Sequence, residues 1–258
     1  MKKYFIGGLM AIAAITATGQ NIQLHYDFGR NIYSGEEAGR QKVTATLEQF
    51  KADDWGSWYY FVDFDLSSHF VEGAYTEISR EFKFGKTSPF AAHIEYDGGV
   101  GIWKDPSTSL FHGYGINHAA LVGLNYCLHT ADYKNIFNLE LLYKYILDDY
   151  NKTANKVPLQ FTFVWGCDDF CTAPGLRFSG FLDIWGQKLN VYDRKTDTYT
   201  DPTKQSFVLI SEPQLWYNVG RWFKCPYLHI GTEIEISYNF TGKGFMCNPC
   251  LGIKWTFD

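Results

Sequence analysis

From Ile22 onward the chain alternates between apolar and polar residues over long stretches, and in every odd-numbered stretch the core charges keep to one parity. Successive side chains of a strand point to opposite faces, so each stretch reads as a strand with one greasy and one wet face. Ile22, Leu24, Tyr26 and Phe28 alternate with Gln23, His25, Asp27 and Gly29. Trp58, Tyr60, Val62, Phe64 and Leu66 alternate with Ser57, Tyr59, Phe61, Asp63 and Asp65. The same holds for Phe90, Ala92, Ile94 and Tyr96 against Ala91, His93, Glu95 and Asp97, and for Phe137 to Leu147. The cleanest case sets Leu228, Ile230, Thr232, Ile234, Ile236 and Tyr238 against His229, Gly231, Glu233, Glu235, Ser237 and Asn239. Further segments follow near Val43–Phe50, Ala74–Phe84, Asn117–Cys127, Pro158–Gly166, Leu176–Gly186, Ser206–Gly220 and Pro249–Phe257. This gives about twelve strands, each near the roughly 9–11 residues that a tilted strand needs to cross a bilayer.

Where the charges fall decides between a soluble sandwich and a membrane barrel. A soluble sheet turns its apolar face inward and studs its outer face with Lys and Glu. A membrane barrel does the reverse, because an Arg or Lys facing lipid at mid-membrane costs roughly 2–4 kcal/mol. Here the apolar parity is dense in aromatic residues, with 21 Phe, 18 Tyr and 8 Trp in 258 residues. Such a supply suits aromatic girdles at two membrane interfaces. The expected fold is therefore all-β: a transmembrane, antiparallel, up-and-down β-barrel in the bacterial outer membrane. Arg80 is the exception, since it lies on the lipid parity and needs a bulge, an edge position or snorkelling.

Residues 1–19 read as a signal peptide. Lys2 and Lys3 precede the apolar stretch Tyr4–Ile15, and Ala17-Thr18-Gly19 offers small residues for cleavage. Residues 20–258 are then the barrel. The chain holds 23 basic and 28 acidic residues, a net charge of −5, and losing Lys2 and Lys3 moves it to −7. That balance argues against nucleic acid as a partner. With an even strand count both termini lie on the periplasmic side. The connections Arg30–Lys42, Ile102–Ile116 and Leu189–Lys204 then become outer loops, while Asp53–Gly56 and Gly85–Pro89 become short inner turns. The link Cys167–Gly175 is long for an inner turn. The alternating end Leu251, Ile253, Trp255 and Phe257 is of the kind read by barrel-assembly machinery, although Asp258 follows it.

The wet parity collects Asp63, Asp65, Glu77, Glu95, Asp97, Asp183, Glu233 and Glu235 together with Tyr59, Phe61, Tyr75, Phe181, Trp185 and Trp216. Lys144, Arg177 and Lys254 are the basic members. An acid-lined passage repels anions and favours cations or neutral polar molecules. Aromatic faces stack flat rings, and carboxylates accept hydrogen bonds from hydroxyls or amines. That combination fits a nucleoside; it also fits residues that simply fill and brace a narrow lumen. Six cysteines (Cys127, Cys167, Cys171, Cys225, Cys247 and Cys250) permit disulfides outside the cytoplasm. The spacing Cys247-Asn-Pro-Cys250 lacks the partner ligands of a zinc site, so no metal and no cofactor is expected.

Three stretches, Gln23-Leu24-His25-Tyr26-Asp27-Phe28-Gly29-Arg30, Trp58-Tyr59-Tyr60-Phe61-Val62-Asp63-Phe64-Asp65 and Glu77-Ile78-Ser79-Arg80-Glu81, resemble the Tsx-like nucleoside-specific channel family. Arg177–Trp185 and Glu212-Pro213-Gln214-Leu215 add to the resemblance. It implies a twelve-stranded barrel with a narrow, aromatic and ionisable passage for nucleosides. It also places Tyr59, Phe61, Asp63, Asp65, Glu77 and Asp183 in that passage, and strand parity adds Glu233 and Glu235. The expected partners are a nucleoside-like solute, outer-membrane lipids and the assembly machinery, with the barrel acting as a monomer. Two other functions compete. A lipid-modifying enzyme needs a His and a Ser on the lipid-facing wall, and Asn117-His118 brings no adjacent Ser. An adhesion barrel with a closed lumen would use its outer loops, Leu189–Lys204 above all.

Overall fold

The structure, a computed structural model, describes residues 19–35, 40–67, 70–105, 107–147, 158–188, 192–193, 198–199, 205–240 and 243–257. The proposed signal segment lies outside them. In order the elements are β1 (Gln20–Asp27), a single helical turn α1 (Gly29–Ile32), β2 (Val43–Ala52), β3 (Gly56–Leu66), β4 (Val71–Lys83) and β5 (Phe90–Lys104). Next come β6 (Phe111–His129), β7 (Asn135–Ile146), β8 (Leu159–Asp168), β9 (Leu176–Lys188) and a small hairpin of β10 (Tyr192–Asp193) and β11 (Thr198–Tyr199). The chain ends with β12 (Gln205–Ser211), β13 (Gln214–Tyr217), β14 (Leu228–Tyr238) and β15 (Phe245–Thr256).

Each long strand pairs antiparallel with its chain neighbour, and β1 pairs with β15 from Asn21↔Thr256 to Asp27↔Cys250, which closes the sheet. Strands β12 and β13 both lie between β9 and β14, so they are two halves of one wall strand. The result is a closed barrel of twelve strands with two extra short strands in the β9–β12 connection. All twelve sequence-predicted segments become strands. Two boundaries differ in an informative way. Ile102–Ile116, read as a loop, is mostly β-ladder, because β5 and β6 keep pairing out to Lys104↔Phe111. Ser206–Gly220, read as one strand, breaks at Glu212-Pro213, because proline has no N–H for the ladder. Most of Leu189–Lys204 lies outside the described residues.

The parity expectation holds on the wall. On β1, Asn21, Gln23, His25 and Asp27 are buried inside, while Ile22, Leu24 and Tyr26 are exposed outside. The outer surface carries Ile94, Val122, Leu124, Leu141, Leu251 and Ile253 on the strands, with Trp55, Phe84, Tyr133, Trp222 and Phe223 around the inner turns. Phe111, Tyr114, Phe240 and Phe245 stand at the outer end. The lumen face is not wholly polar. Val208 and Ile210 pack there with Trp185 and Phe181, and Ala119, Leu121 and Leu142 form a second apolar patch. A twelve-stranded barrel is narrow enough for side chains to fill much of it.

Arg80 resolves as an edge residue. It sits near the inner end of β4, its guanidinium carbon 4.9 Å from the Trp58 ring centroid and 5.2 Å from that of Phe82. Its Nη2 donates to Asp53 Oδ1 at 2.8 Å, in the turn between β2 and β3. Asp53 also accepts from the backbone N–H groups of Trp55 and Gly56 at 2.8 and 2.9 Å. The Arg80 hydrogen bond holds the Asp53 carboxyl down at about 2, below its ordinary 3.8. A depressed carboxyl contributes stability above its unfolded pKa and loses it as pH falls through the folded one. This clamp should therefore weaken between pH 3.8 and about 2. In urea titrations across that window, Asp53→Asn should flatten the fall in midpoint. An unchanged slope would show that the turn does not use the pair.

The acidic, aromatic lumen

Four inward positions on β3 follow from its period of two: Tyr59, Phe61, Asp63 and Asp65. The β3–β4 register sets Phe61 opposite Glu77 and Asp63 opposite Tyr75. Tyr59 and Phe61 lie 6.1 Å apart between ring centroids, and Phe61 and Tyr75 lie 6.0 Å apart. These three rings make a ladder up one wall. Tyr75 donates its hydroxyl to Glu77 Oε1 at 2.8 Å. Thr46 Oγ1 donates to Asp63 at 2.5 Å, so the carboxylate is held by a neighbour on β2.

The opposite wall comes within electrostatic range of this ladder. Asp183, on β9, accepts from Thr162 at 2.5 Å and lies within Coulombic reach of Lys144 and Glu95. Glu233, on β14, accepts from Gln214 Nε2 at 2.5 Å and lies within reach of Asp63. Glu212, in the break between β12 and β13, faces Glu233, Glu235, Asp63 and Glu77. Of the eight predicted site residues, Tyr59, Phe61, Asp63, Glu77, Asp183 and Glu233 thus share one level of the lumen. Asp65 and Glu235 belong to the outer mouth instead. Asp65 faces Arg40, Glu72 and Asp27. Glu235 is bound by Arg40 at 2.8 Å, and the same guanidinium takes Asp27 at 2.7 Å.

Sequence reasoning omitted Glu212 and Arg40 from the site. Glu212 was legible: it shares the parity of the buried Val208, Ile210 and Trp216, and the register runs through Pro213 without a slip, from Ser211↔Leu182 to Gln214↔Ser179. The break needs room on β9. Gly180, at φ +152, supplies it, because a Cβ there would stand 2.4 Å from the Glu212 carbonyl oxygen and 2.7 Å from the Trp165 ring. Arg40 had no such signal, since it reaches the mouth from the β1–β2 connection.

Basic groups are few and mostly covered by rings. Lys144 Nζ sits 4.4 Å from the Trp185 centroid and donates to Gln160 at 2.9 Å and Asp97 at 3.3 Å. Lys254 Nζ sits 4.2 Å from the centroid of Trp216, which is fully buried, and His25 meets the edge of that ring at 5.7 Å. The lumen therefore keeps a large excess of carboxylates around a stack of aromatic rings. All six cysteines are free, so none of the possible disulfides forms. His118 is engaged with the Tyr96 hydroxyl at the irregularity between β5 and β6.

Comparison with known proteins places this barrel among bacterial outer-membrane folds. The family model of a domain of unknown function, DUF5020, matches residues 19–257. A search of curated protein sequences finds no match. Among solved structures, the NanC porin aligns over 93% of this chain and 99% of its own, with a TM-score of 0.51 and 9% identity. The KdgM porin in complex with disordered oligogalacturonate covers the same shares, with a TM-score of 0.48 and 9% identity. LpxR from Salmonella typhimurium covers 92% of this chain and 99% of its own, with a TM-score of 0.44 and 9% identity. At such identities the fold is what is shared. The twelve-stranded outer-membrane barrel implied by the nucleoside-channel resemblance is present.

Proposed function

The chain belongs to the DUF5020 family, whose description names no activity, and from the lumen itself we propose that it is an outer-membrane channel for small polar solutes. In this reading it is exported with residues 1–19 removed and conducts as a monomer. The solute is neutral or cationic and carries a flat ring, and a nucleoside is its best representative. One observation carries the reading: the Tyr59–Phe61–Tyr75 ladder stands at the level where Asp63, Glu77, Glu212 and Glu233 face one another. Stacking on an aromatic side chain is worth roughly 1–3 kcal/mol per base, and carboxylates on the facing wall accept the hydroxyls of a sugar. The same carboxylates turn away phosphates and sugar acids.

The test is current through single barrels in planar bilayers, using purified protein whose intact mass starts at Gln20. Nucleosides should block that current at concentrations where sugars and amino acids do not. Phe61→Ala should weaken the block about five- to hundredfold, the range set by the stacking energy, and Asp63→Ala should weaken it further. Equal block by all three solute classes, or block unchanged in both variants, would dismiss the nucleoside reading. A barrel that carries no current would dismiss the channel.

A further inference from the structure

Below the aromatic ladder, towards the inner end, the lumen wall holds a second cluster built round one histidine. His93 on β5 lies opposite Glu81 on β4, and Asn125 on β6 lies opposite Glu140 on β7. The His93 Nδ1 atom is 2.5 Å from Glu81 Oε1 and 3.5 Å from Glu140 Oε2. On the other side of the ring, Nε2 is 3.1 Å from Glu95 Oε2. The side chains of His93 and Glu140 are only 4% and 7% exposed. One donor atom from each of Glu81, His93 and Glu140 falls within 4.8 Å of the other two.

We propose that Glu81, His93 and Glu140 form a binding site for a divalent first-row transition-metal ion. Three physical points lead there. First, three carboxylates meet one imidazole at a largely buried point of the lumen wall, with side chains 4–13% exposed, so with the carboxylates ionised even a protonated ring leaves the cluster two charges negative. Uncompensated buried charge is costly, and a divalent cation removes it. Second, the surplus groups are acceptors. Glu81 Oε2 and Asn125 Oδ1 are both buried without a hydrogen-bond partner, and the whole Asn125 residue is only 5% exposed. An oxygen with no donor to meet is a ligand position for a cation. Third, His93 has the arrangement that metal-bound histidines use, with the second ring nitrogen donated to a carboxylate, here Glu95, which fixes the tautomer and aims the first. One imidazole with carboxylates suits zinc, manganese or iron, whereas calcium and magnesium take oxygen ligands alone.

The site adjoins the proposed solute level, since Glu95 comes within 4.8 Å of Glu77, but the three ligands themselves stand below that level and the readout needs no current. Purified barrel, stripped with chelator in detergent, is dialysed against Zn2+ and its metal content measured, and Co2+ is titrated in parallel with its visible absorption recorded. The expected result is one Zn2+ per chain, displaced by chelator, and a Co2+ spectrum with the intensity of an ordered nitrogen–oxygen site. His93→Gln should abolish both. Glu95→Gln, which leaves the three ligands in place, should weaken binding about ten- to hundredfold, as loss of such a support does. Heat-modifiable gel migration identifies any variant that has not folded, and the wild-type Co2+ spectrum needs no variant. No stoichiometric Zn2+ or Co2+ on the wild-type barrel would overturn the proposal. So would binding that survives His93→Gln in a folded protein, which would mark the metal as adventitious.

Discussion

Replacing Arg40 with alanine should lower the unfolding free energy of the barrel by about 3–5 kcal/mol, the usual cost of breaking a buried ion pair by removing one partner. Arg40 leaves the β1–β2 connection, enters the mouth and binds Asp27 on β1 and Glu235 on β14 at 2.7 and 2.8 Å. Those two strands flank β15 at the seam where the barrel closes. Both acids are nearly covered, with side chains 7% and 9% exposed. Asp27 also accepts from the Gly29 N–H at 2.5 Å, and Glu235 from Ser237 and Asn248 at 3.3 Å each. Without the guanidinium those neutral donors remain, but two carboxylates face each other unopposed. The loss is therefore mostly orphaned charge, and the structure offers a check on that cause. The triple variant Arg40→Ala, Asp27→Asn, Glu235→Gln should recover most of the stability that the single change loses. Equilibrium unfolding in urea, in micelles, measures both. A single-variant loss below about 1 kcal/mol, the worth of an exposed pair, would mean that the connection does not dock in the mouth. With the strap gone, single-channel conductance should rise as well.

How far the sequence could be read follows from the range of each signal. Parity is local, and it located all twelve wall segments and the inward side of Tyr59, Phe61, Asp63, Glu77 and Asp183. It could not tell Glu233 from Glu235, which share one strand face two residues apart. Only the fold separates them, giving Glu233 to Gln214 in the lumen and Glu235 to Arg40 at the mouth. The cluster at His93 was hidden for the same reason. Glu81, His93 and Glu140 each read as ordinary inward residues, and their convergence depends on the stagger between β4, β5 and β7, which no single strand encodes. Arg80 was flagged because a charge on the lipid parity breaks the pattern, and such breaks carry more information than the pattern's continuation. The apolar patch of Val208 and Ile210 was invisible to a rule that assigns the wet parity only to polar residues.

Cation selectivity is the largest effect expected from the lumen as a whole. Through the level of Asp63, Glu77, Glu212 and Glu233 a permeating ion passes several carboxylates with little basic charge beside them. Two unit charges about 4 Å apart interact by about 1 kcal/mol even at the dielectric of bulk water, and by more in a partly desolvated passage. Each carboxylate neutralised there should therefore hinder a cation about fivefold and favour an anion by the same factor, reducing the cation-to-anion permeability ratio about thirtyfold. Glu212→Gln tests one charge, and Glu212→Lys, which changes two, should lower the ratio further still in the same direction. The readout is the reversal potential across a potassium chloride gradient near 0.1 M, where screening extends over about 10 Å. Asp105 provides the control. It lies in the β5–β6 turn and is tied to Ser107 and Thr108, so Asp105→Asn should leave the potential where it was. A wild-type barrel that passes chloride as readily as potassium would show that these carboxylates are cancelled in place, by protons or bound cations. The aromatic ladder would then face a neutral wall, and the preference for cationic over anionic solutes would lose its cause.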